Sequence, residues 1–162
     1  MSNPKTDCEA LMNSALPFAQ QMLTTHGEFY PIGMAMRPSG EIVSIGTYDG
    51  DERPQSVDVI TLLKKTFVAA ARKGEYLATV IVYDTKIKLP STNEKSDAIT
   101  VSLDHRDDYS VVVFFPYRID NGEFILGTAF AQKGKADIFL AANELPRRSF
   151  RLAAALAGLL SR

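Results

Sequence analysis

Among 162 residues there is one cysteine, two histidines and no tryptophan. Cys8 has no partner for an intrachain disulfide, so a reducing compartment is the simpler expectation. His26 and His105 lie far apart in sequence and lack the spacing of metal ligands. Neither GxGxxG nor a GxxxxGKS/T loop occurs, which removes the common nucleotide fingerprints. There is no excess of positive charge either. A net charge of −1 argues against a general nucleic-acid binder, whose phosphate contacts need a basic surface. Long apolar runs are also missing. The longest near the C-terminus, Leu152 to Leu160, spans nine residues, and a membrane helix needs about 20. The N-terminus has no basic start followed by an apolar core, as a secretory signal would. A soluble, cytoplasmic protein with no cofactor, no metal site, no nucleic-acid partner and no membrane role is expected.

What is present is ordinary globular material, 46% apolar and 23% charged. The length suits one domain burying roughly 70% of its unfolded surface. The charge is unevenly spread. Four arginines and one acid put +3 on residues 144–162, so the remainder carries −4 of the total −1.

Local patterns then set the element order. Thr6 and Glu9 have the spacing of a capping box, and Leu11, Ala15, Phe18 and Met22 recur at helical spacing. The predicted first helix is kinked at Pro17 and stops at Gly27. "FYPIGMAMR" and "EIVSIGTY" flank the turn "PSG" as a hairpin. Ser56 caps a second helix running to Lys73. Strands follow at Tyr76–Asp84, "AITVSLD", "YSVVVFFPY" and Glu123–Gln132, the last pair joined by "DNG". "FRLAAALAGLLSR" completes the pattern as a helix. The order α-β-β-α-β-β-β-β-α predicts an α+β domain over residues 1–162. Its mainly antiparallel sheet has about six strands with helices packed on it, and 143–162 forms an appended C-terminal helix.

Two aromatic-proline junctions stand out, Phe29-Tyr30-Pro31 and Phe114-Phe115-Pro116-Tyr117. Proline lacks a ladder donor and belongs at a strand start, an edge or a bulge, while the rings beside it seal a core. The functional alternative is a shared cleft in which Tyr30 and Tyr117 offer hydroxyls to a ligand. His105 in "LDHRDD", beside Asp104 and Asp108, could serve such a cleft as an oriented base. Its bland counterpart is a solvated hairpin turn. No residue is assigned a catalytic role. Asp49, Asp51 and Glu52 form an acidic loop whose spacing does not match a calcium site, so protein binding is its functional reading. The apolar stripe of the tail, with Phe150, Leu152, Leu156 and Leu159 flanked by arginines, suits docking on the core, on a second copy or a partner, or surface association with anionic lipid.

The helix–hairpin–helix–meander order resembles profilin-like and roadblock-like folds. "GEFYPIG" and "FFPY" are similar to segments of small bacterial proteins of unassigned function, some of them toxin-immunity-like. That resemblance implies a non-catalytic protein-binding module, immunity-like or a homo-oligomeric adaptor, with another protein or a second copy as partner. The alternative is a small-ligand sensor or enzyme using the aromatic cleft with His105 and nearby carboxylates.

Overall fold

The computed structural model describes residues 3–46 and 56–143. Helix α1 (Pro4–His26) begins one turn earlier than the capping-box spacing predicts. Asn3 is its N-cap, accepting from the backbone N–H groups of Lys5 and Thr6. Pro4 follows in the first turn, where its missing N–H costs nothing. The helix runs through Pro17 without ending, because that residue sits on the solvent side and leaves the Asn13 carbonyl to water. Gly27, at φ 75°, closes it with a bond from its N–H to the Leu23 carbonyl.

Strands β1 (Ile32–Met36) and β2 (Ile42–Ile45) form the predicted hairpin around Pro38-Ser39-Gly40. Helix α2 (Ser56–Arg72) then crosses β1 to reach β3 (Ala78–Lys88), which pairs antiparallel to the other side of β1. A meander continues through β4 (Lys95–His105) and β5 (Tyr109–Asp120). The Asn121-Gly122 turn, both residues at positive φ, leads into β6 (Glu123–Leu126). The result is an α+β fold with a seven-stranded antiparallel sheet of order β2-β1-β3-β4-β5-β6, in which β7 (Phe130–Lys133) also pairs with β5. The last described element is α3 (Phe139–Asn143).

The sequence pattern predicts one strand from Glu123 to Gln132; the structure divides it. Tyr117 pairs with Leu126, whereas Phe114 pairs with Phe130, so three outer residues face two on β5. This is a one-residue bulge at Gly127-Thr128-Ala129. Its cause lies opposite, at Pro116. The Gly127 N–H bonds the Pro116 carbonyl at 2.7 Å, so Pro116 turns its backbone outward, and there it has no N–H to give. The ladder breaks at the missing donor and resumes one residue out of step.

The sheet carries a layer on each face. On the first, α1 buries Cys8, Leu11, Ala15, Ala19 and Leu23 against Val80, Val82, Ile99, Val101 and Leu103. On the second, Val59, Leu63 and Phe67 of α2 meet Ala35 and Ile81, with Ile138 and Phe139 beside them. Gly33 permits that approach, since a Cβ there would lie 2.5 Å from Leu63 Cδ2. No helix among the described residues is long and apolar enough to cross a membrane.

Candidate functional site

The expected ligand-cleft residues fall at two ends of the sheet. His105 pairs with Tyr109 at the β4–β5 turn, and Tyr117 pairs with Asp97 eight residues away along β4. At about 3.4 Å per residue, roughly 27 Å separates the two levels. Tyr30, 45% exposed, precedes β1 at the end where Ile32 pairs with Val82, away from His105. Asp108 is exposed in the turn after His105, at φ 59°. The four side chains therefore share no hollow. Asp49, Asp51 and Glu52, the acidic-loop candidates, lie outside the described residues.

At the first end, His105 is 1% exposed and both ring nitrogens are engaged. Nδ1 accepts from the Asp107 backbone N–H at 3.0 Å, which assigns the proton to Nε2. Nε2 in turn donates to Asp7 Oδ2 at 2.9 Å, tying the hairpin turn to the start of α1. A base needs a free lone pair facing substrate, and this imidazole offers none. Asp104, its neighbour on β4, points to the opposite face. There its Oδ2 accepts from the N–H groups of Ile138 (2.8 Å) and Phe139 (3.4 Å), fixing the start of α3. Burial raises the Asp104 carboxyl to about 6, against those two bonds, which favour the ionised form. Burial also pushes the Cys8 thiol up to about 12, helped by the charges of Asp104 and Asp7, so the lone cysteine is inert.

The other end holds the second junction. Tyr117 is 8% exposed, stacks on Phe124 with centroids 5.4 Å apart, and donates its hydroxyl to Asp84 Oδ1 at 2.7 Å. Burial, then the Asp84 hydrogen bond, raises the Tyr117 hydroxyl above the usual phenol range. Burial raises Asp84 as well, with the Tyr117 bond opposing it. On the opposite face, Phe114 stacks on Phe130 at 5.0 Å. Beside that pair an open groove has formed where α2 and α3 do not reach. One lobe, about 330 Å³, lies among Leu89, Pro90, Pro116, Gly127, Ala129 and Phe130. A second, about 300 Å³, shares Leu89, Pro116 and Gly127 and adds Arg118 and Ile125. Its walls are mainly apolar, with Ser96, Tyr117 and Arg118 on the second lobe, and neither lobe is lined by a histidine or a carboxylate. Among the described residues no three His, Cys, Asp or Glu side chains gather as a metal site would require.

Comparison of the chain with protein-family models, with curated proteins and with solved structures finds no significant match. The site rests on its own geometry. Sequence reasoning placed Pro116 and Tyr117 but missed the groove walls Leu89, Pro90 and Gly127–Phe130. One signal was available for them: a glycine inside a strand pattern marks a bulge.

Proposed function

We propose that the protein is a non-catalytic protein-binding module whose contact surface is the apolar groove beside Pro116. One observation carries this reading. The open apolar surface and His105 are on different parts of the molecule: the imidazole is fully hydrogen-bonded and lies about 27 Å along the strands from Tyr117, which lines one lobe of the groove. Reaction chemistry needs both in one place. Binding an apolar side chain of a partner needs only the groove, and the two lobes suit two adjacent anchors. An immunity-like inhibitor and a homo-oligomeric adaptor both use such a surface, and solution mass separates them: a stable dimer supports the adaptor.

A small-ligand sensor is the second reading, favoured by lobe volumes that reach the lower range of small-molecule sites. The test places a cation in the groove. Ala129→Arg, on an exposed wall residue, should abolish partner capture or dimer formation while leaving the fold intact by circular dichroism. His105→Gln should leave capture unchanged. A metabolite that raises the melting temperature saturably, and loses that effect in Ala129→Arg, would replace the protein-binding reading with the sensor.

A further inference from the structure

Strand β3 outruns its neighbour on one side. β1 accompanies it only as far as Ile32 opposite Val82, whereas β4 follows it six residues further, to Lys95 opposite Lys88. The first aromatic-proline junction stands just before β1, and among the described residues no backbone bond joins residues 27–31 to β3. Past Val82, β3 is therefore an edge strand, although it is a central one below that point. The ladder decides which residues face the open side. Bonds from the Leu89 N–H to the Glu94 carbonyl and from the Arg106 N–H to the Leu77 carbonyl join odd-numbered residues of this register to β4. The N–H and C=O groups of Asp84, Lys86 and Lys88 consequently point the other way, along about 17 Å of strand. All three residues are exposed. An unpaired row of this kind is a template for another strand.

The side chains along this edge say what kind of strand it takes. By alternation from Val80 and Val82, the side chains of Asp84, Lys86 and Lys88 stand on the α1 face, while half-buried Tyr83, Thr85 and Ile87 stand on the other. Asp84 already accepts from the Tyr117 hydroxyl. Lys86 lies opposite Asp97, but Lys88 lies directly opposite Lys95, and like charges so placed weaken a sheet. Among the described residues none of these three lysines makes an ion pair. Lysines on an edge discourage indiscriminate pairing, and the same lysines admit a strand that carries acids. The geometry points to Asp84–Lys88 as the docking site for an extended segment of another protein, added as a strand beside β3. Its aspartate or glutamate side chains lie opposite Lys86 and Lys88, and apolar ones between them lie beside Thr85 and Ile87. Main-chain bonds supply the affinity and the acids supply the choice. This inference does not rest on the groove, which takes Leu89, Pro90 and Ser96 from the same hairpin and extends across β5 and β6, away from the open edge.

The probe is a short end-blocked peptide alternating glutamate with valine, added to the isotope-enriched full chain. At saturation, hydrogen exchange at the Lys86 and Lys88 amides should slow by about tenfold or more, whereas the Thr85 and Ile87 amides, which face β4, should change little. The same peptide with lysine in place of glutamate should slow none of them. Lys86→Glu with Lys88→Glu should reverse that preference. Equal slowing by both peptides, or by neither, would overturn the proposal. So would protection of these amides in the free protein that grows with its concentration, since a second copy would then hold the edge. Ala129→Arg should bind the peptide as wild type does, and loss there would overturn the proposal by assigning the peptide to the groove. Should the double variant fail to fold, wild type gives an independent reading. Its affinity for the glutamate peptide should fall several-fold as salt rises from about 0.05 M to about 0.5 M, and an unchanged affinity would equally overturn it.

Discussion

The two ends of the β3–β4–β5 meander use the same strands for opposite purposes. At the His105 end, polar side chains are buried and their atoms mostly spoken for: a ring nitrogen to each of two partners, a carboxylate oxygen to two backbone N–H groups. At the Pro116 end, a proline removes a ladder donor, the outer strand breaks, and apolar walls stay open to solvent. Buried polar groups hold one geometry because every alternative leaves a donor or acceptor unmet. An open apolar wall has no such demand and can accept a partner. The contrast separates stability from recognition along one set of strands.

Breaking the first end should cost most. His105→Ala removes a buried ring and two hydrogen bonds, and a loss of about 2–5 kcal/mol is expected in urea unfolding. A loss below about 1 kcal/mol would mean that the turn and α1 are held by something else. Next in size is Asp104. Its folded carboxyl is raised from the ordinary 3.8 to about 6, so protonation favours the folded state. The stability it contributes is fully present below 3.8 and disappears as pH rises through 6. Wild type should therefore lose up to roughly 3 kcal/mol between pH 4 and 7 relative to Asp104→Asn, measured as the difference between the two pH profiles. A flat difference would show that Asp104 does not feel its burial.

Gly33→Ala probes the helix layer both ends share; the 2.5 Å approach to Leu63 Cδ2 predicts about 1–3 kcal/mol of destabilisation. At the Pro116 end, Tyr117→Phe removes one part-buried hydrogen bond, to Asp84, and should cost only about 0.5–1.5 kcal/mol. The smallest effect belongs to the groove wall itself. Ala129→Arg should change stability by less than about 0.5 kcal/mol, because that residue is exposed and outside the ladder. A large loss there would merge the two ends into one structural unit.

Much of this architecture was legible in the sequence, for local reasons. Asn121-Gly122 announces its hairpin because both positions require left-handed backbone. The helical spacing through Leu11 and Ala15, and the alternation through Val80 and Val82, reflect which side chains face the sheet interior. Start signals were weaker: Asn3 outcompeted Thr6 as the cap of α1 because Pro4 behind it is already shaped for a first turn. The extra strand could not be read as a pattern, since "EFILGTAFAQ" alternates plausibly throughout and the break depends on Pro116 across the ladder. The fate of His105 was equally hidden. Nothing in "LDHRDD" reveals that Asp7, ninety-eight positions earlier, captures the imidazole. The groove is a matter of where helices end, which local composition does not record.

The bulge at Gly127 also constrains how this chain can change. Residues 124 and 126 face the α1 layer and Phe130 faces the other, although all three numbers are even. Deleting any single residue from 127–129 would leave two outer residues facing two on β5, and regular alternation from Leu126 would still set Phe130 opposite Phe114. Deleting two would leave one facing two and, with regular pairing, swing the Phe130 ring to the α1 face, away from Phe114. Loss of one residue at this site should therefore be tolerated better than loss of two, and a selection experiment on random deletions there would reveal that arithmetic directly.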